Sequence, residues 1–432
     1  MKFAPSLSAP KRPTVLVGCL ATTVALLCGA PAHAQPPVVP VAAADPYLAN
    51  PLPSAAPGDI IASRPVTAPA VPARATLISY QSVDALGAPM AVSATVLDPF
   101  MPWTGPGERP LVTFAVGTHG QGDQCAPSKL LTELVHYSPL LDVMLEFETA
   151  FIDLLLARGI AVVVTDYQGL GTPGTHTYFN RAAEAHAVLD AARAAQRLPG
   201  TSIPANGPVG IWGYSQGGGA AAAAAESAGT YAPELDLRGT FAGAPVSHIE
   251  DVLSYFDGTS IAGAVGYYLN SVMAVYPEAV PEIEAILNPA GMAILNTVRN
   301  QCLFETTFTY GLQQSRQWTT SGRPIAELLI ENPVLSAILD EHRVGNGMPS
   351  APVLIIAGDN DDIVPAGQAR KVAQSWCSRG ATVDLFDAPI PTFLPGLGPG
   401  HNINEYAANF LWTQPLLDQM FYGAPARNTC EA

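Results

Sequence analysis

Positive charge is what this chain most lacks. Twenty Lys and Arg face 36 Asp and Glu over 432 residues, a formal charge of −16 at neutral pH, which argues against nucleic acid or an anionic membrane surface as a partner. Long apolar runs are scarce as well. The one at the front, Val15 to Ala30, follows Lys2, Lys11 and Arg12 and ends in Ala32-His33-Ala34, a small-x-small cleavage site. Residues 1–34 therefore read as a signal peptide, with a secreted, extracellular mature chain from near Gln35 whose charge is about −19 once those three cations are gone. The run is too short and too alanine-rich for a stable membrane anchor. Leu16-Val17-Gly18-Cys19 has the look of a lipoprotein cleavage box, but the apolar stretch ahead of Cys19 is very short for one. No histidine pair has zinc-site spacing, and the four cysteines of the mature chain, Cys125, Cys302, Cys377 and Cys430, lie too far apart for a compact metal cluster. An even number in an exported chain favours disulfides instead, with all three pairings open on spacing alone. No metal and no cofactor is expected. Internal repeats and coiled-coil heptads are absent too.

What is present centres on Val209-Gly210-Ile211-Trp212-Gly213-Tyr214-Ser215-Gln216-Gly217, followed by Gly218, Gly219 and six alanines. An apolar run, a serine flanked as Gly-x-Ser-x-Gly and a helix-forming block read as strand, sharp turn and helix, the nucleophile elbow. Glycines two before and two after the serine are required because a Cβ there would collide with neighbouring strands. The N–H of Gln216, at the helix N-terminus, is the first oxyanion donor in this reading.

The chain around this stretch alternates strands and helices. Residues 35–75 are rich in Pro and Ala and read as an extended N-terminal segment; Thr76 to Gln81 and Met90 to Leu97 read as two strands joined by a turn at Gly87. Leu111 to Val116 is a buried strand that runs into the glycine-rich Gly117 to Cys125, where hydrolases of this kind place a second oxyanion donor, here Gly120 or its neighbour. Glu146 to Arg158 has helical period, Ile160 to Thr165 is an all-apolar strand, and Asp166 after it reads as a structural loop cap. Fold class follows: α/β, a doubly wound, mostly parallel sheet with an inserted helical cap. Residues 35–243 form the first part of the core. Residues 244–348, irregular amphipathic helices, form the cap or lid insertion, and 349–432 complete the core. The apolar stretch Ile261 to Leu269 is expected to line an acyl tunnel over the site.

A serine needs a base, and the base an orienting carboxylate, in the chain order Ser, Asp, His. Asp361, three residues past Gly358 and four before Pro365, is the expected acid, and Asp359 and Asp362 are expected to be solvated. His401 is the one histidine after the acid, in a loop rich in Gly and Pro. His136 and His186 read as helical, His176 as part of a turn, and His119 as a neighbour of the oxyanion loop.

Taken together with Asp45-Pro46-Tyr47, Pro57-Gly58-Asp59-Ile60-Ile61, Gln124-Cys125-Ala126-Pro127-Ser128, Asp166-Tyr167-Gln168-Gly169, Gly213 to Gly217, Gly358 to Pro365 and Gly400-His401, the chain resembles the secretory lipase family of α/β hydrolases, the Candida antarctica lipase A-like family, and looks most like its actinobacterial members. The resemblance implies an α/β-hydrolase fold, Ser215, Asp361 and His401 as catalytic residues, and disulfides Cys125–Cys302 and Cys377–Cys430. In the fungal members the second oxyanion donor is the main chain of an aspartate; here Gly120 or its neighbour occupies that place. The leading expectation is a secreted lipase or esterase cleaving acyl esters, triacylglycerol among them, through an acyl-enzyme. The same machinery acting on a polyester, a hydroxycinnamoyl ester or a peptide is the alternative, and a non-catalytic binding protein of this fold stands behind both.

Overall fold

The computed structural model describes residues 45–138, 142–391 and 393–430; the expected signal peptide lies outside them. A nine-stranded sheet runs through the molecule in the order β1-β2-β3-β7-β4-β8-β9-β10-β11. Its first three strands, β1 (Ile60–Val66), β2 (Ala73–Val83) and β3 (Pro89–Pro99), form an antiparallel meander, with the β2–β3 turn passing through Gly87 at φ +87°. β7 (Ala161–Thr165) joins β3 antiparallel. From there β4 (Leu111–Ala115), β8 (Val209–Tyr214), β9 (Leu237–Gly243), β10 (Val353–Gly358) and β11 (Val383–Ala388) are all parallel to their neighbours. Every residue of β4, β7, β8 and β10 is buried, as strands covered on both faces must be, and this is why those segments read as unbroken apolar runs.

Helices cover both faces. In the first part of the chain they are α1 (Pro127–Glu133), α2 (Thr149–Leu156), α3 (Arg181–Arg197) and α4 (Gln216–Tyr231). A separate two-stranded antiparallel sheet, β5 (Val135–Ser138) with β6 (Asp142–Leu145), comes between α1 and α2 in the chain. Two local expectations change here. His136 lies on β5, not on a helix, and the helix expected from Glu146 starts at Thr149, because Glu146 and Glu148 turn their carboxylates inward, buried, onto the loop after β4.

Between β9 and β10 the chain leaves the sheet for α5 (Ile249–Phe256), α6 (Ala264–Val275), α7 (Ala279–Ile286), α8 (Pro289–Val298), α9 (Leu303–Tyr310), α10 (Ile325–Glu331) and α11 (Pro333–His342). The helices of this insertion pack on one another as part of the core that the sheet buries. A Cβ on Gly266 would meet Val298, Ile294 and Leu295, so the apolar face of α6 is closed by α8, with Trp318 beside it. Only Ile261, at the start of the stretch expected to line a tunnel, reaches the cavity above Ser215. The chain ends with α12 (Gly367–Ser378), α13 (Pro399–Ala407) and α14 (Gln414–Phe421). Cys125 is bonded to Cys302 and Cys377 to Cys430, the same pairs that the resemblance implies.

Asp166 explains several scattered motifs at once. Buried behind β7, it accepts hydrogen bonds from the Ser128 N–H (2.8 Å) and from Ser93 Oγ (2.6 Å), and Ser128 Oγ lies 2.9 Å from the Tyr47 hydroxyl. Burial pushes its pKa up to about 6 against those hydrogen bonds. The structural reading of Asp166 fits this position.

Candidate active site

Ser215 stands between β8 and α4 at φ 61° and ψ −119°, a conformation that L-residues rarely adopt. The flanking glycines make it possible. A Cβ on Gly217 would sit 2.0 Å from the Ala115 carbonyl oxygen, and one on Gly213 would sit 2.1 Å from the Gly217 carbonyl oxygen. Gln216 opens α4, so its N–H has no partner within the helix. Its side chain donates to Glu184 Oε1 (2.8 Å) and lies 3.0 Å from His176 Nε2. His176 Nδ1 faces the Gln168 carbonyl, so Nδ1 carries the ring proton and Nε2 accepts from Gln216. Burial pushes Glu184 up to about 8 and His176 down to about 4, so both are neutral near pH 7.

Asp361 lies in the turn after β10. Its Oδ1 accepts the N–H groups of Ile363 (3.0 Å) and Val364 (2.8 Å), and its two oxygens stand 2.9 and 2.8 Å from His401 Nδ1. Burial alone would lower the His401 pKa, but the Asp361 charge and hydrogen bond hold it above the ordinary value. His401 belongs to the first turn of α13 rather than to a loop, behind Gly398 at φ +99°. Ser215 and His401 share one cavity of about 270 Å3, whose apolar walls come from Phe147, Ile261, Leu303, Phe304, Ile363 and Tyr406.

Asp362 departs from expectation. It is buried, and its carboxylate accepts the Gly398 N–H at 2.8 Å and the His401 N–H at 3.0 Å, thereby fixing the start of α13. Nothing local in the sequence marks this, since both donors lie 36 and 39 residues away. Asp359 is the solvated one, paired with Arg370 at the surface.

Gly120 is also displaced from its expected role. It forms an antiparallel bridge with Cys302, where a Cβ would lie 2.6 Å from both the Cys302 Cα and the Gln301 carbonyl, and it does not line the cavity. Its glycine identity answers to the disulfide-tethered segment packed on it. Gly117 and Thr118 line the cavity instead. The Gly117 N–H is committed to Glu148 Oε2 at 2.9 Å, whereas the Thr118 N–H has no hydrogen-bond partner among the described residues.

His119, Glu146 and Glu148 lie behind this loop, with ligand-type atoms all within 4.8 Å of one another. The His119 Nε2 to Glu146 Oε2 distance of 3.0 Å is that of an ion pair. Glu405, one helical turn beyond His401, faces the same interior, and burial raises its pKa and that of Glu148. The i to i+4 relation of His401 and Glu405 was readable in the sequence once α13 was placed.

Comparison with known proteins adds three findings. The profile of the secretory lipase family matches residues 134–393. The chain is similar to a protein named probable inactive lipase from Mycobacterium tuberculosis, 27% identical across 78% of this chain and 75% of that one, and to secreted triacylglycerol lipase LIP7 of Malassezia globosa, 28% identical across 76% and 70%. Its fold is similar to that of Candida antarctica lipase A, with TM-score 0.75, 22% identity, and coverage of 90% of this chain and 88% of that one.

Proposed function

The chain belongs to the secretory lipase family of carboxylic-ester hydrolases, α/β-hydrolase in fold, and from that premise we propose that it is a secreted enzyme whose Ser215, His401 and Asp361 cleave acyl esters through an acyl-enzyme. The observation that carries this reading is the pairing of His401 Nδ1 with both oxygens of a buried Asp361, in a ring whose other face shares a cavity with a serine at an elbow.

The steps follow from the geometry. Nδ1 is turned to Asp361, which leaves Nε2 free to take the Ser215 proton and later to pass it to the departing alcohol. The ester carbonyl oxygen, as it becomes an oxyanion, is received by the N–H groups of Gln216 and Thr118. Water attacks the acyl-enzyme by the same route. Residues 244–348 act as the cap, and the leader at 1–34 directs export; relatives named secreted lipases support the latter. One relative carries the name of a probable inactive lipase, yet here the nucleophile, base and acid are all present, which supports activity. A cavity of about 270 Å3 is near the lower end of small-molecule pockets, roughly 300–1,000 Å3, which favours short or medium acyl groups.

Labelling with a fluorophosphonate followed by peptide mapping tests this reading. The label is expected on Ser215 and to vanish in Ser215→Ala. Labelling that persists in that variant, or no turnover of any p-nitrophenyl ester by the wild type, would overturn it.

A further inference from the structure

The peptide joining Gly117 to Thr118 is held in an unusual way. His119 Nδ1 lies 3.0 Å from the Gly117 carbonyl oxygen, and a carbonyl only accepts, so Nδ1 carries a proton. His119 Nε2 lies 3.0 Å from Glu146 Oε2, an ion-pair distance, and neither of these two buried atoms has a hydrogen-bond partner among the described residues. Two bare lone pairs would repel at that distance, so one of the two atoms carries a proton. Imidazole is a stronger base than a carboxylate, with ordinary values of about 6.5 against 4.3, so it stays on nitrogen. The ring is then an imidazolium, fully enclosed and stacked on Phe147 at 4.8 Å between ring centres.

A trans peptide is planar, with its C=O and N–H pointing in opposite directions. A cation gripping the Gly117 oxygen thus turns the Thr118 N–H to the opposite side and draws electron density from it. Glu148 fixes the preceding N–H, that of Gly117, so the loop is held at two successive peptides. Thr118 lines the cavity beside Ser215. We infer that His119, paired with Glu146, is a positioning residue for ester hydrolysis that orients and polarises the Thr118 N–H as the second oxyanion donor. The inference rests on the proposed acyl-enzyme reading and deepens it. The charged or titratable groups facing His119 are Glu146 and Glu148 ahead of α2, Glu405 on α13, Asp166 after β7 and His176. Burial would lower the His119 pKa, but the Glu146 charge and hydrogen bond lead the contributions that raise it above the ordinary value.

Two variants of the full mature chain separate this role from a merely structural one. Glu146→Gln is nearly isosteric and lets the amide donate to a neutral His119 Nε2, keeping the shape and removing the charge. His119→Phe keeps the stacking and removes both polar contacts. With a p-nitrophenyl butyrate assay, kcat is expected to fall about tenfold in Glu146→Gln, which weakens the donor without removing it, and about a hundredfold in His119→Phe, the lower end of the range seen for lost oxyanion donors, while KM changes less than about twofold. Nitrogen-15 histidine spectra at pH 7 should show a doubly protonated ring in the wild type that is missing from both variants. Wild-type kcat in either variant, a neutral His119 in the wild type, or one equivalent of divalent metal that EDTA removes together with activity would overturn the inference. Absence of fluorophosphonate labelling in the wild type would instead sink the hydrolase reading beneath it.

Discussion

Asp361 and Asp362 are neighbours with different partners. Asp361 faces the His401 ring, and Asp362 faces the main chain that presents that ring. Replacing Asp361 by Asn puts an amide opposite Nδ1 and favours the wrong tautomer, so kcat should drop by about four orders of magnitude with the fold intact. Asp362→Ala should act through position. It orphans two buried N–H groups, each worth about 1–3 kcal/mol, and frees the start of α13. We expect a measurable fall in stability and a ten- to hundredfold fall in kcat, with Asp362→Asn in between because its single amide oxygen can satisfy one donor. Urea denaturation with parallel kinetics checks both; an Asp362→Ala enzyme with wild-type kcat would show that α13 is fixed by other contacts. The two aspartates also mark how far the sequence could be read. The acid's place relative to Gly358 and Pro365, and the position of the one histidine after it, are local or ordinal facts that a linear text carries. The partners of Asp362, and those of His119 with Glu146 and Glu148, arise when separate segments are brought together by the sheet, and no spacing encodes them. Gly120 misled for a related reason: glycine in a loop signals close approach of something, and here that something is the Cys302 segment rather than a substrate oxygen.

At the scale of elements, the insertion is the part that composition described least well. Its apolar residues were legible, but not where they point, since a helix buried against a sister helix and one lining a ligand cavity have the same pattern. With α6 closed by α8, the insertion gives the cavity above Ser215 only Ile261 and the α9 residues Leu303 and Phe304 as apolar wall, and Phe147, Ile363 and Tyr406 complete it. Acyl specificity should then rise by about 0.8 kcal/mol per methylene, close to fourfold, only until this limited volume is filled. We expect kcat/KM across p-nitrophenyl esters to peak at short or medium chains; a maximum at palmitate, or a steady fall from acetate, would contradict the cavity seen here. The disulfide Cys125–Cys302 belongs to the same scale, because Cys302 caps α9 and bridges Gly120 while Leu303 and Phe304 reach the cavity. Replacing both of its cysteines by serine should lower stability by roughly 2–4 kcal/mol and also raise KM. The matching change at Cys377 and Cys430, which ties the end of α12 to the C-terminal tail, should lower stability and leave KM alone. Equal KM effects from the two pairs, measured on the same ester, would separate the disulfide from the cavity wall.

The whole molecule carries a strong acidic bias and, inside it, carboxyl groups that resist ionisation. Glu184 and Asp166 are pushed up by burial to about 8 and about 6, from ordinary values of 4.5 and 3.8, and Glu148 and Glu405 move in the same direction. A group whose folded pKa is raised holds its proton more tightly when folded. Its stabilising contribution is complete below the unfolded value and is lost as pH rises through the folded one, at up to about 1.4 kcal/mol per pH unit for each group. Two buried histidines oppose this. His176 and His342 are held down by burial to about 4 and about 3, so their contribution is present above 6.5 and is lost as pH falls toward those values. Between pH 8 and 5 the carboxyl groups outnumber the histidines, and the net negative charge of the chain also shrinks, easing self-repulsion. Below about pH 4.5 Glu184 no longer gains a proton on folding while His176 and His342 still lose one, so the slope reverses. The melting temperature is therefore expected to rise as pH is lowered from 8 to about 5 and to fall again below about 4. Glu184→Gln, which keeps the amide oxygen near Gln216 and removes the proton-binding group, should flatten the upper part of that curve without shifting the lower. A scan at pH 8, 6.5, 5 and 4 on both proteins decides it: a wild-type melting temperature that drops steadily from pH 8 to pH 5 would mean that the buried carboxyl groups are ionised in the folded state.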